Sequence, residues 1–181
     1  MKKNILSLGA ALLLVCLTAY SQTITISVEG TKQGKFKGES AKSKFADRSE
    51  ITGFIQEVTS PRDAASGMGT GRRMYQPVIL LKQTGASSPQ FFQAITTNEI
   101  LKKIVIDFYK ADATGVEVNY YTVTLENVLV SGFKQFIGPL DNEKFNPADN
   151  ILYDEIKLTF QKITIEEKTG KTMASDDWNQ R

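Results

Sequence analysis

A mainly β fold, either a small closed β-barrel or a tightly packed two-sheet sandwich with one short flanking α-helix, is the architecture this sequence predicts. Three observations carry it. Apolar side chains alternate at period two through most of the chain, the mark of half-buried strands. Only Pro89–Thr96 combines a helix-start signal with helical spacing. No internal repeat, low-complexity block or linker divides the chain, so the expected strands, about seven to nine, belong to one sheet system whose edges closure would hide.

Residues 1–21 stand outside that pattern. Lys2 and Lys3 precede an apolar run, Ile5–Leu17, and Ala19-Tyr20-Ser21 puts small residues at both key positions of a cleavage site before Gln22. This is a secretory signal peptide, cut between Ser21 and Gln22, and it is set aside from fold reasoning. The run is too short for a membrane-spanning helix, which needs about 20 apolar residues. Leu13-Leu14-Val15-Cys16 loosely matches a bacterial lipobox, but Val15 stands where Gly, Ala or Ser belongs, so cleavage is the stronger reading and lipidation of Cys16 the weaker one. One domain, residues 22–181, then remains outside the cytoplasm, secreted or periplasmic.

Ile24, Ile26 and Val28 share one face of the first strand. Residues 30–50 are polar and basic, with a short second strand and a solvated loop expected. Ile51–Thr59 reads as a strand. Ser60–Arg73 is a long loop of small, charged and Gly residues, and loops of that length inside a compact domain are usually functional. Pro77–Gln83 follows as a strand whose Val78–Leu81 run suggests cover on both faces. Ser88 can cap a helix with Pro89 in its first turn, and Phe91, Phe92 and Ile95 give that helix an apolar face. Ile104–Tyr109, the turn Ala111–Gly115 and the strand Val116–Val130 form a hairpin, and so long a strand should bend near Glu126-Asn127. Residues 138–150 are turn formers. In the last strand, Ile151–Glu167, parity slips between Phe160 and Ile163, which a bulge near Gln161-Lys162 would explain. From Thr169 the sequence reads as a polar tail, except at Asp177-Trp178.

Composition removes several function classes. Without the leader the 22 basic side chains become 20, matching 20 acidic ones, so net charge draws the chain to neither nucleic acid nor an anionic membrane. There is no histidine, which removes the commonest general base and metal ligand together. The sole cysteine, Cys16, lies in the leader. Gly67, Gly69 and Gly71 lack the Lys-Ser/Thr of a phosphate loop and feed a strand. The acid pairs Asp154-Glu155, Glu166-Glu167 and Asp176-Asp177 would point to opposite faces of a strand and make no carboxylate dyad. Tyr120-Tyr121 should straddle a sheet, one ring packed and one exposed. No catalytic, metal or cofactor site is expected.

The order of these features resembles the haemolysin co-regulated protein (Hcp) family, the tube subunit of bacterial type VI secretion. The likeness runs through Gly38-Glu39-Ser40, the long loop with Arg62-Asp63 and its spaced glycines, and a Lys-bearing strand. It continues through Ser88-Pro89 with Phe92-Gln93-Ala94, Ile106-Asp107-Phe108-Tyr109, Gly115, Leu125-Glu126-Asn127 and Asp177-Trp178. The resemblance implies a β-barrel with a flanking helix, homo-hexameric rings that stack into a hollow tube, contacts with secretion-machine components, and cargo in the lumen. It also implies that Ser60, Pro61, Arg62, Asp63, Gly67 and Gly71 make the ring-to-ring contact. Arg72 joins them on charge: residues 32–73 carry nine basic and five acidic groups and residues 141–181 six and nine, so opposite faces could attract. Family members leave through the machine without a signal peptide, whereas this chain has one; a soluble carrier or adhesin-type module on the same barrel is the alternative.

Overall fold

The computed structural model describes residues 22–137 and 151–180. The expected leader with Cys16 and Ser21, and the segment 138–150 read as turn formers, lie outside the described residues.

Strand β1 (Thr23–Gly30) pairs antiparallel with β7 (Leu101–Ala111), β7 with β8 (Glu117–Ile137), and β8 with β9 (Leu152–Glu167). Strand β9 then pairs with β6 (Val78–Gln83) through its first half and with β10 (Thr172–Asp177) through its second. The outer strands of the path are β2 (Ser49–Ile51) on β1 and β3 (Gly53–Ile55) on β6. Only Thr52 separates β2 from β3, and its amide donates to the Leu81 carbonyl of β6 at 2.8 Å. One stretch of chain therefore serves both edges and closes the sheet into a barrel. The expected single strand Ile51–Thr59 is broken accordingly, because its parts pair with three different partners: β1, β6 and, through β4 (Val58–Thr59), β5 (Met74–Tyr75).

Inward-facing residues alternate along each strand as the pleat requires. Ile26, Val28, Leu80, Ile104, Ile106, Leu125, Ile156 and Leu158 are buried, each such side chain contributing about 1.5–3 kcal/mol by leaving water. Strand β6 is dry only on the face of Val78, Leu80 and Lys82; Ile79 and Leu81 are half-buried, so the expected cover on both faces is not found. The helix α1 (Ser88–Thr96) packs against β8 and sends Phe91 and Ala94 into the barrel end, where Phe91 meets Phe36 edge-on at 5.1 Å. Phe92, one step and about 100° round the helix from Phe91, stays exposed, with its ring edge-on to Phe133 of β8 at 6.0 Å.

The parity slip in β9 has a different form from the bulge expected. Val123 and Leu125 face inward with Ile165 and Ile163 as their ladder partners, while beyond the break Val128 and Val130 face inward opposite Phe160 and Leu158. Both strands change face together at Asn127 and Gln161, so the register through Gln161-Lys162 does not shift. Asn127 takes φ 51°, a left-handed conformation that Asn tolerates better than most residues, and its side chain donates to Gln161 Oε1 at 2.9 Å. The register shift in this pair lies instead between Val130 and Gly132. The tail is likewise ordered: β10 extends the sheet along the far half of β9.

Candidate assembly surface

Residues 60–73 form a projecting arm. Its base is the two-residue ladder Val58↔Tyr75 and Thr59↔Met74, continued by a bridge between Arg62 and Gly69. At the tip, the Asp63 amide donates to Met68 O and the Gly67 amide to Asp63 O, at 2.8 and 2.9 Å. The Asp63 carboxylate accepts from the amides of Ala65 and Ser66 and from the Ser66 hydroxyl. Those Ser66 hydrogen bonds hold its pKa below the ordinary carboxylate value. Gly67 has φ 68°, which a glycine adopts freely. Arg62 donates to Gly67 O at 3.2 Å, and Thr70 closes on Pro61 O. The structure thus brings Pro61, Arg62, Asp63 and Gly67 into one self-bonded turn, with Ser60, Gly71 and Arg72 exposed on its flanks.

The arm's root is clamped by a residue from the segment expected to be a polar tail. The Arg73 guanidinium forms a bidentate pair with Asp176 and reaches Asp177 O at 3.1 Å. Tyr75 donates to Asp176 at 2.7 Å, and its ring lies between Phe160 and Trp178, at 5.2 and 5.4 Å. Arg73 and then Tyr75 hold the Asp176 carboxyl below its usual range, while burial pushes the Tyr75 hydroxyl up. The basic and acidic chain segments meet here within one subunit. Arg48 with Asp107 and Lys42 with Glu117 are likewise internal pairs, so the basic segment is less of a free solvated face than expected. Among the described residues Arg62 and Arg72 form no ion pair.

A second cluster lies inside. Lys82 is fully buried and its ammonium donates to Glu39 at 2.8 Å, Asp154 at 3.3 Å and Gln83 O at 2.6 Å, with Ser88 Oγ at 3.1 Å. Asp154 also accepts from Thr84, Gln135 and Ser88. Burial pushes the Asp154 carboxyl up, but those three hydrogen bonds and the Lys82 charge outweigh it and hold the group below its ordinary value. Ser88 is therefore not the cap: Ser87 occupies that position, without a capping side-chain bond, and Ser88 accepts from the Gly85 amide while donating to Asp154. Ser87 instead holds Glu39. A lysine beside a serine could suggest a nucleophile and its base. Here the lysine is committed to two carboxylates and both side chains are closed off from solvent, so the cluster braces the helix start against β6 and β9.

Two smaller expectations also change. Tyr120 and Tyr121 are both half-buried and both rings contact Phe108, rather than one packing and one standing free. Glu99, unremarked in the sequence, is buried where it accepts from the amides of Lys32 and Gln33. The signals for the internal cluster were in the parity: Lys82 is in phase with Val78 and Leu80, and Asp154 with Ile156 and Leu158. Among the described residues no group of acids could hold a metal, and no helix is long and apolar enough to cross a membrane.

Fold and site together define a β-barrel scaffold whose buried polar groups brace structure and whose most developed exposed feature is a preformed arm. Residues 25–166 match the family described as "Type VI secretion system effector, Hcp", and the chain belongs to the Hcp family. It is 31% identical over 162 residues to the "Major exported protein" of Pseudomonas aeruginosa strain PAO1, covering 84% of this chain and 93% of that one. Among solved structures it is similar to a double-tryptophan mutant of Hcp1 from the E. coli EAEC 042 pathovar, with TM-score 0.74, 25% identity, and 86% and 98% of the two chains covered. It is also similar to secreted protein Hcp3 from Pseudomonas aeruginosa, with TM-score 0.71, 25% identity, and 88% and 99% covered. The expected family and fold are both borne out.

Proposed function

We propose that this chain is the self-assembling subunit of a hollow tube, exported by way of its leader after cleavage between Ser21 and Gln22 and active in the periplasm or outside the cell. Closed rings of six subunits stack, with the arm of each ring seated on the next. Ser60, Pro61, Arg62, Asp63, Gly67, Gly71 and Arg72 make that contact, and the partners are further copies of the chain, with cargo in the lumen. The observation that carries this reading is the arm: its turn is fixed by its own hydrogen bonds and its root by Arg73, yet nearly all of it is exposed. A fixed shape that contributes almost nothing to its own core fits contact with another molecule. Ring closure requires two different patches of each subunit to meet. No catalytic role is assigned; the polar clusters described are saturated by internal partners.

Light scattering on the secreted protein should give about six times the monomer mass, the value for the proposed closed ring of six. Electron microscopy should show rings and, at higher concentration, tubes. A monomer at every concentration would overturn this reading in favour of a soluble carrier or adhesin module.

A further inference from the structure

Gln22 occupies an unusual corner. It stands one residue outside β1, whose ladder with β7 begins at Thr23↔Tyr109, and it is exposed. Its main-chain nitrogen is therefore not needed to hold the sheet. Its carboxamide nitrogen donates to the Tyr120 hydroxyl, whose ring is held against Phe108 at 6.5 Å and under the Lys110 ammonium at 4.8 Å. Next to it, Thr23 is buried and pinned by Glu117 at 2.8 Å and by Lys42 at 2.9 Å, while Lys44 donates to the Glu117 carbonyl at 2.6 Å. Two ammonium groups thus converge on one glutamate beside the start of β1. A free terminal ammonium on Gln22 would add a fourth positive charge to those of Lys42, Lys44 and Lys110 at this corner.

We propose that Gln22 is a modification site: once the leader is removed, the residue closes on itself to pyroglutamate. The α-amino nitrogen attacks Cδ of its own side chain, forming the new N–Cδ bond. The Cδ–Nε2 bond breaks, one proton passes from the α-nitrogen to Nε2, and ammonia leaves. Neither oxidant nor co-reactant is required. The ladder loses no hydrogen bond, and the lactam carbonyl can accept from the Tyr120 hydroxyl in place of the carboxamide contact. The change removes the terminal positive charge beside Lys42 and Lys44. It also withdraws the free amine that an aminopeptidase must grip, which matters for a chain end displayed outside the cell.

This inference rests on cleavage before Gln22, and one experiment separates the two. The full-length chain is expressed in a host that exports it, and the secreted protein is weighed intact, without digestion. The expected mass is that of residues 22–181 less about 17 Da for the ammonia lost, with no free α-amine detectable by stepwise N-terminal degradation. The Gln22→Asn variant, whose shorter side chain would require a four-membered ring, should keep its full mass and an open terminus. A wild-type chain that starts at Gln22 with full mass and a free amine overturns the cyclisation and leaves the cleavage reading intact. A chain starting elsewhere overturns both. Equal mass loss from the variant would place the lost ammonia at another residue and also overturn the proposal.

Discussion

Lys82 would be an expensive residue to bury alone, because an unpaired ammonium in a barrel interior loses its hydration without return. Glu39 and Asp154 supply the charges, Gln83 O and Ser88 Oγ complete the shell, and no buried side-chain donor or acceptor among the described residues lacks a partner. Lys82→Met keeps the volume but strands two carboxylates, and should lower unfolding free energy by about 3–5 kcal/mol in a urea titration, the usual cost of breaking a buried pair from one side. Acidity tests the same cluster from the other direction. Asp154, Asp176, Glu117 and Glu99 are all held below their ordinary values in the folded chain by hydrogen bonds and nearby cations, against an opposing push from burial that is strongest at Asp154 and Glu99 relative to their other influences. Such groups bind protons more readily when unfolded, so their contribution is complete above roughly pH 4–5 and falls away as pH drops through the depressed folded values. The urea midpoint should be flat from neutrality to about pH 5 and decline steeply below about pH 4. At this scale the sequence was half legible. The phase of Lys82 and Asp154 with their apolar neighbours carries an inward signal, but Lys82 is not singled out by it and Asp154 reads only as half of a split acid pair. The glutamate that joins them is Glu39, in a loop whose fold no local pattern specifies.

Strand boundaries were legible wherever one face was apolar, and lost where pairing crossed between partners. The central hairpin was readable because Ile104, Ile106 and Phe108 alternate up to a turn ending at Gly115, where φ is 82°. Its second strand continues past Val130 to Ile137 because β9 pairs with it throughout, a long-range fact that periodicity cannot supply. Strand β10 was missed for the same reason, since Thr172–Asp177 is polar and owes its extension to β9. The face change at Asn127 shows both sides of this. The bend was foreseeable from strand length, but two strands turning over together leave the same parity signature as a bulge. Asn127→Gly should be nearly neutral, whereas Asn127→Val, which opposes a left-handed backbone, should cost about 1–2 kcal/mol in thermal or urea unfolding.

Across the whole molecule, charge offers the sharpest test of stacking. Arg73, Arg48 and Lys42 are already matched within the subunit, which leaves Arg62 and Arg72 as the arm's available cations. The Arg62→Glu, Arg72→Glu double change should preserve rings in light scattering and abolish long tubes in electron microscopy. Wild-type tubes should shorten as salt rises, because exposed charges are screened within about 8–10 Å at physiological ionic strength. A variant that stacks like wild type at every salt concentration would remove the arm from the contact. The barrel class was legible from alternation and a single helix, but its closing device was not, because Thr52 looks like any strand residue until β1 and β6 are seen on either side of it. That seam also has a kinetic meaning. Strands β7, β8 and β9 can zip through neighbouring hairpins, whereas residues 49–55 need two edges that exist only once β1 has paired with β7 and β6 with β9, each a partner far away in the chain, and non-local closure is the slow step in folding. Until it happens, the sheet is open and presents two unpaired edges to other chains. Pulse-labelling hydrogen exchange during refolding should therefore protect the β7–β8–β9 amides first and residues 49–55 last, and the open sheet edges are most exposed to wrong pairing with other chains in that interval.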